Sequence, residues 1–139
     1  MTTGTRRRPK VSATTVLVVD DHADTRLLYE NVLRNAGYVV ETAATGEEAI
    51  TRAQKTSPTI VLMDLAMPTL DGWEAARALK AAPTTKAAWI VAITARSERH
   101  DIDRAYAAGC DSVALKPVEP KDLLHIVEAG IARVKSRSA

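Results

Sequence analysis

The chain has 139 residues, enough for one domain that buries a core without staples. Its single cysteine, Cys110, excludes an internal disulfide, and the longest apolar runs are far too short to cross a bilayer, so a reducing, cytoplasmic setting without membrane insertion is expected. The formal charge of +2 misleads as a guide to partners, because Arg6, Arg7, Arg8 and Lys10 supply four of the 19 basic residues and leave 15 against 17 acidic ones in everything after residue 10.

Residues 1–14 hold Thr, Arg, Gly, Pro and Lys with almost nothing to bury, which predicts a disordered basic tail. No apolar stretch follows the arginines, so no secretory signal is expected, and four charges without an aromatic residue among them give no expectation of a nucleic-acid partner. Residues 15–20 (TVLVVD) form a β-branched apolar run that reads as a first strand ending in Asp20-Asp21. A helix over 24–36 follows, with Leu27, Leu28, Val32, Leu33 and Ala36 at helical spacing and Gly37 as its stop. The acidic pair therefore lies between strand and helix. Capping explains one carboxylate there, and Asp24 can already serve as the cap. Two adjacent carboxylates before it repel each other unless a cation neutralises them.

Residues 38–43 (YVVETA) make a second, less apolar strand, suited to a sheet edge, and Thr45-Gly46-Glu47-Glu48 matches a capping box that opens a helix to about residue 55. Between Pro58 and Pro68 the run Ile60-Val61-Leu62-Met63 leads into Asp64, the signature of a strand buried on both faces. Taken alone, Asp64 could merely begin the next loop. Asp71-Gly72-Trp73-Glu74 gives another capping box and a third helix through Leu79, on which Trp73 reads as a packing residue. Residues 87–94 (AAWIVAIT) form a fourth strand ending in Thr94-Ala95, and Ser97 can cap a fourth helix to residue 108 with Gly109 as its stop. Residues 111–116 (DSVALK) form the fifth strand, ending in Lys116-Pro117. Pro120 opens the last helix, with Leu123, Leu124, Ile126, Val127, Ile131 and Val134 in one stripe, leaving 135–139 as a short tail.

Strand and helix alternating five times imply an α/β domain over 15–134, a doubly wound, flavodoxin-like (βα)5 fold with a parallel sheet in the order 2-1-3-4-5. In that order strands one and three adjoin the switch point, so Asp20 and Asp21 face Asp64 across one crevice. Three carboxylates at a crevice make a hard-oxygen site suited to Mg²⁺. A carboxylate can also act as a nucleophile toward a phosphoryl group, a transfer that needs positioning and charge neutralisation above all. Lys116 offers a mobile cation and Thr94 a hydroxyl. No P-loop, no glycine-rich dinucleotide fingerprint and no Cys/His metal spacing competes.

Together, Asp20-Asp21, the D-x-x-M-P of residues 64–68 with Asp71-Gly72 after it, Thr94-Ala95 and Lys116-Pro117 resemble the receiver domain of two-component response regulators. The resemblance implies a single-domain phosphoprotein switch in a phosphorelay. Asp64 is then the acceptor, served by a histidine kinase or histidine phosphotransfer protein, while Asp20, Asp21, Asp64 and the backbone carbonyl of Ala66 hold Mg²⁺. Thr94, the amide of Ala95 and Lys116 bind phosphoryl oxygens, and the peptide before Pro117 is expected to be cis. Such a chain is no enzyme beyond its own phosphorylation and dephosphorylation. It signals through protein contacts on the face of helix four, strand five and helix five, as a monomer or weak dimer. This chain departs from the family at Val113, where an aromatic residue is usual three positions before the lysine, and at Ala66, often a polar position. The alternative is a pseudo-receiver that binds partners without being phosphorylated. A flavin carrier on the same fold is disfavoured, since the acidic pair after strand one repels a cofactor phosphate.

Overall fold

The computed structural model describes residues 14–65, 72–95 and 98–138. Five strands, β1 (Thr15–Val19), β2 (Val39–Ala43), β3 (Ile60–Asp64), β4 (Trp89–Thr94) and β5 (Ser112–Leu115), alternate with five helices, α1 (Ala23–Asn35), α2 (Gly46–Thr56), α3 (Gly72–Ala81), α4 (Arg99–Ala107) and α5 (Pro120–Ser138). All strand pairs are parallel, and the sheet order is β2-β1-β3-β4-β5, as the alternation predicts. The basic tail expected over residues 1–14 lies outside the described residues except for Thr14.

The sheet separates two apolar layers. Leu17, Val19, Val61, Met63, Ile90 and Ala92 project to one side, under α2, α3 and α4, where Ala49, Ala53, Trp73, Ala76, Leu79 and Ala105 meet them. Val16, Val18, Ile60, Leu62, Val91 and Ile93 project to the other, under Tyr29 and Leu33 of α1 and Leu123 and Val127 of α5. This strict alternation is what a strand covered on both faces requires. β3 is buried at all five positions. Because every helix runs back along the sheet, the helix N-termini gather at the carboxyl ends of the strands. Each helix carries an acid in its first turn and a base in its last, as the helix dipole favours.

Several local expectations need correction. Of the stripe expected on α1, Leu33 is buried and Val32 packs against the core, but Leu27 and Leu28 are 56% and 48% exposed; Tyr29 is buried in their place, one turn before Leu33. The Arg26 guanidinium donates to the Asp20 carbonyl at 2.7 Å, tying α1 to the end of β1 in this rotation, and the tyrosine ring has more apolar area to gain from burial than either leucine. The N-cap of α1 is His22, not Asp24. α4 begins after Glu98, whose side chain makes no capping bond, while Ser97 lies outside the described residues, as does Asp71 of the second capping box. β4 and β5 are shorter than the apolar runs. Ala88 closes a turn onto the Thr85 carbonyl, and the Asp111 side chain leaves the strand to accept from the Ile90 amide at 2.8 Å and to pair with Lys80 at 2.8 Å. The capping box at α2 forms, with the Glu48 amide donating to the Thr45 hydroxyl and the Glu48 carboxylate accepting from Ala44.

At Gly72 the start of α3 presses on the end of β3. A Cβ there would collide with the Asp64 carbonyl oxygen and lie 2.6 Å from Leu65 Cα, both of them backbone atoms that cannot step aside. Gly72→Ala should therefore lower stability by about 3 kcal/mol, the upper end of ordinary overpacking costs, as read from urea melts. A loss under about 0.5 kcal/mol would show that the approach relaxes freely.

Candidate functional site

Parallel strands that stop at one edge leave their next residues together. Asp20 and Asp64 are the residues at the ends of β1 and β3, on adjacent strands paired through Val19 and Met63. Both are nearly inaccessible, at 2% and 4% exposure. Lys116, one residue past β5, brings its ammonium to 3.4 Å from Asp20 Oδ2 and 3.6 Å from Asp64 Oδ2, and the Lys116-Pro117 peptide is cis. Burial pushes the Lys116 ammonium down, but Asp64 and Asp20 outweigh it and hold its pKa above the ordinary lysine value. It stays charged at any physiological pH.

Asp20 also answers part of the capping question. Its Oδ1 accepts from the His22 amide at 2.8 Å, so one oxygen ties down the start of α1 while the other faces Lys116. Asp21 has no such local task. Its Oδ1 is buried without a hydrogen-bond partner, 3.3 Å from His22 Nδ1. A carboxylate oxygen buried unsatisfied is costly unless something else neutralises it. Ligand atoms of Asp20, Asp21, His22 and Asp64 all lie within 4.8 Å of one another, and the carboxylates among them suit Mg²⁺, a hard cation. The residues present therefore fit such an ion. Ala66, expected to add a carbonyl, lies outside the described residues.

Thr94 ends β4, 1% exposed, with the exposed Ala95 next to it. The Lys116 amide donates to the Thr94 carbonyl at 2.8 Å, which ties the end of β5 to that of β4. The fold thus brings Asp20, Asp21, Asp64, Thr94, Ala95 and Lys116 to one end of the sheet. Trp73 is 4% exposed and stacks under Arg104 of α4 at 4.0 Å, a packing residue rather than a ligand platform. Sequence reasoning missed His22, Arg26 and Tyr29. His22 directly follows the acidic pair, the one cue available. Arg26 and Tyr29 gave none, because their value depends on how α1 is rotated.

Comparison with known proteins agrees with this geometry. The family description "Response regulator receiver domain" matches residues 16–128. The chain is 32% identical over 129 residues to the transcriptional regulatory protein ResD of Bacillus subtilis, covering 93% of this chain and 52% of that one. It is 34% identical over 125 residues to the transcriptional regulatory protein PdtaR of Mycobacterium tuberculosis, covering 89% and 60%. The chain thus spans about half to three fifths of these two relatives. Among solved structures, chemotaxis protein CheY4 of Vibrio cholerae superposes with a TM-score of 0.80 at 32% identity, covering 84% of this chain and 97% of that one.

Proposed function

Since the chain belongs to the response regulator receiver family, we propose that it is a phospho-accepting switch in which Asp64 takes a phosphoryl group from a phosphohistidine donor. The observation that carries this is the convergence of Asp20, Asp64 and the Lys116 ammonium within 3.6 Å, with Thr94 on the next strand.

An Asp64 Oδ attacks phosphorus, the P–N bond to the donor imidazole breaks, and the imidazole leaves with the bonding pair while taking up a proton. Asp20, Asp21 and Asp64, with the Ala66 carbonyl that the family resemblance implies, would hold Mg²⁺, which would supply charge neutralisation for the phosphoryl oxygens. Lys116 sits 3.4 and 3.6 Å from its carboxylates, longer than the 2.7–2.9 Å of a tight charge-assisted bond, so neither carboxylate engages it fully and it can donate to the incoming oxygens from where it stands. Thr94 and the Ala95 amide donate to the same group. The chain turns over nothing but its own phosphoryl group. The partners of this reading, with this protein in the cytoplasm, are a histidine kinase or histidine phosphotransfer protein and a protein target on α4, β5 and α5, where Tyr106 and Leu115 are 50% and 47% exposed.

The test is incubation with acetyl phosphate and Mg²⁺, followed by intact mass. One added phosphoryl group that fails to form when a chelator is present from the start supports the reading, and no mass shift overturns it. Mg²⁺ alone should also stabilise the fold, by about 2.7 kcal/mol at a hundredfold excess over its dissociation constant. Asp21→Ala should lose most of that gain in thermal melts; an undiminished gain would return Asp21 to a purely structural role.

A further inference from the structure

Tyr29 is a polar residue buried to 4% exposure beside a charged site, with no part in the chemistry described so far. It lies in the layer under α1 and α5, the side of the sheet to which Val16 and Val18 point, and strand alternation sends Asp20 and Asp64 to that same side. A cavity of about 450 Å³ separates α1 from the loop after β5, and Tyr29 shares its wall with Thr25, Ala95 and Lys116. The Lys116 ammonium has three N–H donors, and its two carboxylate neighbours at 3.4 and 3.6 Å use at most two of them. The third is left facing the cavity, the Lys116 side chain being 24% exposed. Two other polar side chains line the cavity. Thr25 is half-exposed, whereas Tyr29 is buried and its hydroxyl feels the charges of Lys116, Asp20 and Asp64. Burial raises the pKa of that hydroxyl above the ordinary tyrosine value, so it remains a neutral O–H, able to accept from a water bridging to the ammonium while its own proton points elsewhere.

We propose that Tyr29 is the positioning residue for Lys116: its hydroxyl accepts the third ammonium N–H through one water in the cavity whose wall both residues share, and so holds the cation facing the acceptor carboxylate. This rests on the phospho-acceptor reading of Asp64 for its functional consequence, but not for the contact itself. A hydroxyl there keeps the lysine from swinging into solvent, so the cation is already in place when the phosphoryl group arrives.

Tyr29→Phe keeps the ring and removes only the oxygen. Its melting temperature should stay near that of the wild type, while the Lys116 Nζ resonance shifts and labelling by acetyl phosphate slows about five- to tenfold. In a Lys116→Met background, Tyr29→Phe should cause no further slowing, a result that loss of packing alone would not give. An unmoved Nζ resonance overturns the proposal, as does equal slowing in both backgrounds. If the wild type takes no label, the phospho-acceptor reading fails, and the Nζ resonance still decides the role of Tyr29.

Discussion

Asp64→Asn should reduce Mg²⁺-dependent labelling by acetyl phosphate to background while leaving the fold intact. Asp64 ends the central strand, fully covered on both faces, and its carboxylate is 4% exposed with the Lys116 ammonium 3.6 Å away. Asparagine has nearly the same shape, so β3 and the Gly72 approach are undisturbed. What it lacks is the anionic oxygen that attacks phosphorus, and a neutral amide oxygen is a far poorer nucleophile. The change also removes one of the charges that hold Lys116 in place. Asp20 is already engaged through both oxygens, Oδ1 with the His22 amide and Oδ2 facing Lys116, so it is not expected to take over as acceptor. Intact mass and a urea melt on one preparation check both halves of the expectation. Labelling at the wild-type level would move the acceptor to Asp20 or Asp21. Loss of label together with loss of the fold would show only that Asp64 is structural.

The sheet order and the convergence of Asp20, Asp64, Thr94 and Lys116 were legible in the sequence for one physical reason. A parallel strand covered on both faces must be apolar until the position where it leaves the core, so the first polar residue after the run marks the strand end, and all such ends share one edge. Asp111 shows where the same logic slips. A polar residue before β5 looked like part of the strand, but its side chain instead closes onto the Ile90 amide and Lys80, partners 21 and 31 positions away. The rotation of α1 was illegible for a related reason. Leu27 and Leu28 satisfy helical spacing with Val32 and Leu33 as well as Tyr29 does with Leu33, and in the rotation observed Arg26 reaches the Asp20 carbonyl. Periodicity ranks faces by apolarity and is blind to a polar tether. Since Tyr29 is the residue that this rotation delivers to the edge of the site, the least legible part of the fold is also where the candidate site gains a member beyond its motif.

Loading the site with beryllofluoride, a phosphoryl mimic, should perturb amide resonances through the first turns of α4, out to about Ala105, while Val113 keeps its side-chain rotamer. The mimic's anionic fluorines are strong acceptors and should draw the Thr94 hydroxyl toward them. Thr94 lies on the same side of the sheet as Val113, the two residues being diagonal neighbours across the β4 and β5 register. An aromatic side chain at Val113 could turn into the space that Thr94 leaves. Valine has one stiff χ1 and two methyl groups, and this one already packs, half-buried, against the layer beneath α3 and α4. Movement must then be taken up by the segment leading from Ala95 into α4. That helix buries Asp101 and Ala105 and stacks Arg104 over Trp73 at 4.0 Å, so a shift of α4 should also change the tryptophan fluorescence. Scalar couplings of the Val113 methyl groups, amide shifts and emission can be read on one sample. Shifts confined to residues that touch the mimic, with unchanged emission, would sink this account and favour a module that binds its partner whether or not Asp64 is modified. A rotamer change at Val113 would show that two methyl groups suffice for the inward turn.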